Sequence, residues 1–255
     1  MLYYCTVSTK REQYLKKLFR ISREIPITTD KLKTMGISPS LARRYKESGW
    51  IESIGFGVYK LPDSDLSIEG LLHCLQDDLK LNLHAGAKTA LEMGGVRHFY
   101  REEEKVYFYI DSKSNVPIWV RSFHKKVKII RSLRWNQKKF LYNPGTKEFD
   151  FFIAKKELAI LEQIELINRG ETFEETAQLF ELLSGLDAKS INELIKEASV
   201  KAKRIFLFLA DRYNHPWVKG LDKSLLDPGH SEITVEKGGK YMKEYHLIIP
   251  RGFNV

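Results

Sequence analysis

The sequence predicts an α+β fold: a small helical N-terminal part carrying a hairpin, then a mixed α/β part that ends in a helical, bundle-like region. Three observations carry this. Two short helix patterns, each with a cap and a glycine stop, precede two β-type runs around Gly55-Phe56-Gly57. A middle block from Val106 to Ala154 holds short β-type runs separated by Asn, Pro and Gly. From Lys156 onward the apolar residues recur at helical spacing. Together these place residues 1–62 in one domain and 63–255 in a second, helical from about residue 156.

In order along the chain, Lys10 to Glu24 is expected as an amphipathic helix, with Tyr14, Leu15, Leu18, Phe19 and Ile21 clustered and Lys16, Lys17, Arg20 and Arg23 opposite. Thr28, Thr29 and Asp30 offer caps for the next helix. Leu32 and Met35 give that helix an apolar stripe, and Gly36 stops it. Ser38 caps again, with Pro39 at the first helical position. The helix from Pro39 to Ser48 turns Leu41, Ala42 and Tyr45 to one face, leaving Ser40, Arg43, Arg44, Lys46 and Glu47 outside. Gly49 ends it, and Trp50–Ile54 and Val58–Leu61 form a hairpin.

Beyond the Pro62-Asp63-Ser64-Asp65 turn, Ser67–Leu79 and Leu83–Gly94 are expected as helices. Val106–Ile110, Ile118–Arg121, Lys126–Arg131 and Glu148–Ala154 are expected as strands. Capping boxes at Thr172/Glu175 and Ser190/Glu193 start two of the four C-terminal helices. Ser231–Glu236 and Tyr245–Ile249 read as a closing strand pair around Gly238-Gly239.

Composition narrows the function. The apolar share of 43% is enough for a proper core, and a net charge of +9 favours an anionic partner. The excess is uneven: residues 1–60 hold 12 Lys/Arg against 5 Asp/Glu, and residues 97–140 hold 12 against 4. Two cysteines, with no CxxC and no His pair at ligand spacing, argue against a disulfide framework or a zinc site, and no metal or cofactor is expected. His73 and Cys74 read as packing residues of their helix. Met1–Cys5 is too short and polar for a signal peptide, and no apolar run approaches the ~20 residues of a membrane span. The expected location is the cytoplasm, with no membrane partner.

Helix, turn, basic helix and two-stranded wing make a winged helix-turn-helix, whose second helix enters the major groove of double-stranded DNA. The candidate contacts are Thr28, Ser38, Ser40, Arg43, Arg44 and Lys46, with Phe56 at the wing tip. The plainer reading is a helical domain with a solvated basic face. A second candidate surface runs through Arg97, Arg101, Arg121, Lys125, Lys126, Lys128 and Arg131, interleaved with Tyr100, Phe123 and Trp135. Such a mixture binds phosphate and stacks bases. An alternating sheet face with exposed basic positions explains it equally well.

No P-loop, GxGxxG or nucleophile elbow is present, so the chain is not expected to be an enzyme. A metal-dependent nuclease on Asp111 and Lys113, or on Glu148, Asp150 and Lys155, is the weaker alternative, because alternating strands produce such triplets often. A plain winged-helix transcription factor with an effector-binding or dimerising C-terminal domain is the other.

Three segments carry a family resemblance: Gly57-Val58-Tyr59-Lys60-Leu61-Pro62 closing the wing, Lys88-Thr89-Ala90-Leu91-Glu92-Met93-Gly94-Gly95, and Phe206-Leu207-Phe208-Leu209-Ala210-Asp211-Arg212. From about Lys10 to about Leu247 the chain resembles the AbiEi antitoxins of type IV abortive-infection toxin–antitoxin systems. Family members commonly carry Gln-Gly-x-x-His after the leucine–glutamate, where this chain reads Met93-Gly94-Gly95-Val96-Arg97-His98. The resemblance implies a repressor of its own operon that also counteracts a cognate nucleotidyltransferase toxin. In such systems the antitoxin acts either on the toxin or on its target or product, and the sequence leaves both open.

Overall fold

A computed structural model describes residues 10–96, 105–123, 126–132, 135, 138–226 and 231–253. The chain is α+β and divides into two units. Unit 1 comprises residues 1–82, 114–125 and 145–151, and unit 2 the remainder. The boundary expected at residue 62 therefore falls inside unit 1.

Unit 1 begins with α1 (Lys10–Leu18), β1 (Ile27–Thr28), α2 (Thr29–Thr34), α3 (Pro39–Glu47), β2 (Glu52–Gly55) and β3 (Val58–Lys60). The strands form an antiparallel sheet in the order β1-β3-β2. Leu18, Ile27, Leu32, Ile37, Ala42, Tyr45, Ile51 and Leu61 make one buried cluster, drawing on α1, β1, α2, α3 and the segments beside the strands. α1 stops short of the expected Glu24, because after Leu18 the chain tightens into Arg20 N–H to Lys17 O and Ile21 N–H to Leu18 O turns. The unit is completed by α4 (Ile68–His73), a π turn over Cys74–Asp78, and α6 (Ile118–Phe123). The expected helix over Ser67–Leu79 is thus real but widens to an i→i+5 bond, Leu79 N–H to Cys74 O, in its second half.

Ile118–Arg121 is helical and not a strand. Ile, Trp and Val favour strands, but the segment finds no ladder partner among the described residues. Pro117 accepts the Val120 N–H and opens the turn instead. Of the expected strand over Glu148–Ala154, only Ile153–Ala154 finds partners.

Cys74 is fully buried. Burial, reinforced by the Asp78 carboxylate and opposed by Lys31, pushes its thiol up to about 12. At pH 8 only about one thiol in ten thousand would be ionised. Cys74 in a Cys5→Ser background is expected to resist iodoacetamide until the chain unfolds, as read by intact mass.

Unit 2 contains β4 (Leu83–Ala85), α5 (Ala87–Met93), β5 (Val106–Ile110), β6 (Val127–Arg131), β7 (Leu141–Tyr142) and β8 (Ile153–Ala154). These strands form a five-stranded mixed sheet in the order β6-β5-β4-β8-β7. The single helix expected over Leu83–Gly94 is therefore a strand followed by a helix. Leu83 and Ala85 are good helix formers, yet they pair with Ile110 and Phe108 across the ladder, and tertiary pairing overrides propensity.

Four helices follow: α7 (Lys156–Glu165), α8 (Phe173–Glu181), α9 (Ala188–Ile195) and α10 (Val200–Tyr213). The Thr172 hydroxyl accepts from Glu175 N–H, as the sequence predicts. The cap of α9 lies three residues earlier than expected. Asp187 accepts from the Lys189 and Ser190 N–H groups, and a carboxylate outcompetes the Ser190 hydroxyl, which itself donates to Asp187 at 2.6 Å. In the tail, β9 (Ile233–Thr234) runs parallel to the central β11 (Leu247–Ile249), and β10 (Lys240–Met242) supplies the antiparallel partner. The expected simple strand pair is thus a three-stranded sheet.

α7 is buried along almost its whole length, polar residues included. Glu162 lies 2.7 Å from His84 Nε2 and accepts from the Ala87 N–H. Gln163 accepts from the Lys88 N–H and donates to Glu171 and Thr176. Lys88 Nζ sits 2.9 Å from Glu171 Oε1 and 3.3 Å from Glu175 Oε1, and Tyr107 donates to Glu171 at 2.5 Å. Each buried polar group named here is met by another, which is what makes such a core tolerable.

Candidate nucleic-acid interface

The helix-turn-helix is fixed by backbone chemistry that the sequence announces. Thr28 Oγ1 accepts from the Lys31 N–H at 3.1 Å and caps α2. At the far end Gly36 adopts φ +86°, so Ile37 N–H reaches Leu32 O and Gly36 N–H reaches Lys33 O, each at 2.9 Å. α3 ends the same way, with Gly49 at φ +74°, Trp50 N–H on Tyr45 O and Gly49 N–H on Lys46 O. These paired bonds satisfy the orphan carbonyls and bury Ile37 beside Leu32. Between the helices Ser38 caps α3 through the Leu41 N–H, with Pro39 in its first turn.

This framing decides which side of α3 is free. Ala42 and Tyr45 are buried and Leu41 packs against them. Ser38, Ser40, Arg43, Arg44 and Lys46 are all exposed. Arg43 Nε lies 3.1 Å from Glu47 Oε1, with both side chains mostly in solvent, so this pair holds Arg43 only weakly. Ser38 and Ser40 hydroxyls lie 3.0 Å apart at the helix start.

The wing is anchored to α2 by a contact that sequence reasoning missed. Thr29 sends both its N–H and its hydroxyl to Gly57 O, each at 2.8 Å. Thr29 looked interchangeable with Thr28 as a cap, and only tertiary pairing separates them. Glu52 and Lys60 add a cross-strand ion pair at 3.1 Å. Phe56 stands fully exposed at the tip. α6 packs behind β2, where a side chain at Gly55 would run into Trp119 Cβ.

Thr28 is the correction in this set. It is 4% exposed and its hydroxyl is already engaged, so it shapes the start of α2 instead of facing a ligand. Thr28→Ala is expected to destabilise unit 1 by about 1 kcal/mol in urea titrations.

Residues 103–250 match the family model described as transcriptional regulator, AbiEi antitoxin, type IV TA system, and residues 11–101 match its AbiEi antitoxin N-terminal domain. The chain belongs to the AbiEi family. Among solved structures, the RV2827C protein from Mycobacterium tuberculosis has a similar fold: TM-score 0.65 at 15% identity, covering 92% of this chain and 89% of that one. No curated protein matches in sequence. AbiEi proteins are antitoxin transcriptional regulators and not enzymes in general. No described helix is long and apolar enough to cross a membrane.

In this AbiEi chain the second basic stretch is divided. Arg121 is exposed on α6 in unit 1, while Lys126, Lys128 and Arg131 are exposed at and beside β6, the edge strand of unit 2. Arg97, Arg101, Lys125, Arg134 and Tyr100 lie outside the described residues. Trp135 is not a stacking platform: it is buried and donates Nε1–H to Leu194 O at 3.0 Å. Lys139 pairs with Glu193. The nuclease alternative gains no cluster either. Asp111 accepts the Lys113 N–H in a local turn, and no metal-ligand group among the described residues includes Asp111, Glu148 or Asp150.

Proposed function

We propose that this AbiEi regulator is a DNA-binding autorepressor that places α3 in the major groove of its own operator, and an antitoxin against a nucleotidyltransferase encoded beside it. The observation that carries the DNA reading is the split of α3. One face is committed to the core through Ala42 and Tyr45, and the other presents Ser40, Arg43, Arg44 and Lys46 to solvent. Arginine reads guanine edges bidentately, whereas Lys46 and the Ser38/Ser40 helix start suit phosphates. Phe56 at the wing tip reaches the sugar–phosphate backbone nearby.

The test is anisotropy of labelled duplexes at fixed salt, using DNA from upstream of the gene against a scrambled duplex of equal length. Preference of ~1,000-fold or more marks sequence-specific binding, and equal affinity would leave only a basic surface. Arrest of growth by the neighbouring nucleotidyltransferase, relieved by co-expression of this protein, tests the antitoxin half. Lys126 and Lys128, exposed at and beside β6, suit phosphate contacts of their own in this reading. Lys126→Glu with Lys128→Glu is expected to lower the slope of log affinity against log salt by about two.

A further inference from the structure

Unit 1 holds a second group of functional side chains, remote in character from the basic face of α3. His73, Asp77 and Asp78 offer one nitrogen and two carboxylate donor atoms, all within 4.8 Å of one another. The π turn explains the grouping. In a regular helix, residues five apart point to different sides, but the wider i→i+5 turn over Cys74–Asp78 carries Asp78 back beneath His73. Asp77, four residues on, shares that side already.

Two further observations point to a ligand. The Asp78 side chain is 4% exposed, and while its Oδ1 holds Lys31 Nζ at 2.7 Å, its Oδ2 is buried with no hydrogen-bond partner among the described residues. A buried carboxylate oxygen left unmet is costly and calls for a positive partner. His73 Nδ1 lies 2.7 Å from Asp150 O. A backbone carbonyl only accepts, so Nδ1 carries the proton and Nε2 of the neutral ring keeps its lone pair. Metal-bound histidines are oriented by this type of bond. Both residues border a cavity of about 280 Å³, whose wall also includes Arg20, Lys31, Glu148 and Phe149.

We propose that His73, Asp77 and Asp78 bind one divalent transition-metal ion of the Zn²⁺ or Mn²⁺ class, with water completing its shell. One imidazole and two carboxylates suit these ions better than thiophilic ones. Bonds near 2.1 Å in a tetrahedral shell put donors ~3.4 Å apart, so donors now up to 4.8 Å apart close by as much as ~1.4 Å on binding. The ion competes with Lys31 for Asp78, and Lys31 belongs to α2 of the helix-turn-helix. Lys80, 2.9 Å from Asp77, is exposed and swings away. This differs from the expectation drawn from histidine spacing, which looked for His pairs and passed over a lone His beside two aspartates.

The test uses chelator-stripped full-length protein and equilibrium dialysis against Zn²⁺ and, separately, Mn²⁺. One ion per chain is expected, with at least ~10-fold weaker binding in His73→Ala and in Asp78→Asn. Lys31→Met keeps all three donors and removes the competing ammonium, so it is expected to tighten binding by ~10-fold. It stays informative should Asp78→Asn fold poorly. No binding by the wild type, equal affinity in His73→Ala, or an unchanged constant in Lys31→Met would each overturn the assignment. None of these outcomes depends on operator binding.

Discussion

Arg43→Ala combined with Arg44→Ala is expected to abolish measurable operator preference while leaving the fold intact. Both side chains are exposed on the free face of α3, and neither belongs to the buried cluster that holds unit 1 together. Each bidentate arginine–guanine contact discriminates by about 1–3 kcal/mol, so the pair accounts for roughly 2–6 kcal/mol, or about 30-fold to more than 10,000-fold. Among the described residues the partner lost is Glu47, and an exposed i,i+4 pair contributes a few tenths of a kcal/mol. Anisotropy with specific and scrambled duplexes, beside a circular-dichroism melt, separates the two effects. Lys46→Ala is the useful contrast: it weakens both duplexes alike and lowers the salt slope by about one. Specific affinity within twofold of the wild type in the double variant would remove α3 as the reading element.

The second large effect is on stability and lies in unit 2. Lys88→Met is expected to cost about 3–5 kcal/mol, because it leaves Glu171 buried without its cation. Glu171→Gln in the same chain should recover part of that loss, since the two residues act as a pair. The pH dependence follows from Glu171. Burial pushes its carboxyl up, but hydrogen bonds from Tyr107, Lys88 and Gln163 outweigh this and hold it below the ordinary 4.5. A group depressed in the folded state contributes fully above its unfolded value and loses that contribution as pH falls through the folded one. The wild-type melting temperature should therefore drop as pH falls from 5 towards 3. The gap to Lys88→Met should narrow over the same window, which thermal melts at stepped pH would read.

How far the sequence reached can be argued from these residues. The caps at Thr28, Ser38, Ser67 and Thr172 and the stops at Gly36 and Gly49 were legible because each depends on a few neighbouring residues. The exposed set on α3 followed from helical period alone. What was illegible depended on distant partners. Leu83–Ala85 is a strand because β5 and β8 flank it, whereas Ile118–Phe123, rich in strand-favouring residues, is a helix packed against β2. Nothing near Lys88 in the sequence marks it as buried, because the partners that meet it, Glu171 and Glu175, lie more than eighty residues away. Trp135 read as a stacking aromatic because its carbonyl partner, Leu194, lies 59 residues away.

The interleaving of the two units has a consequence for synthesis. Unit 1 takes its last segment from residues 145–151, after the chain has already contributed two stretches to unit 2. A nascent chain released only as far as the wing has its helix-turn-helix residues outside the ribosome but lacks α6 and the Asp150 carbonyl that holds His73. Repressor activity should thus switch on late in translation, and fragments ending near residue 62 or 82 should be poor stand-ins for the regulator. On the proposed autorepressor function, a shortened product from a stalled ribosome would leave the promoter open, so that interrupted protein synthesis is itself met by renewed transcription.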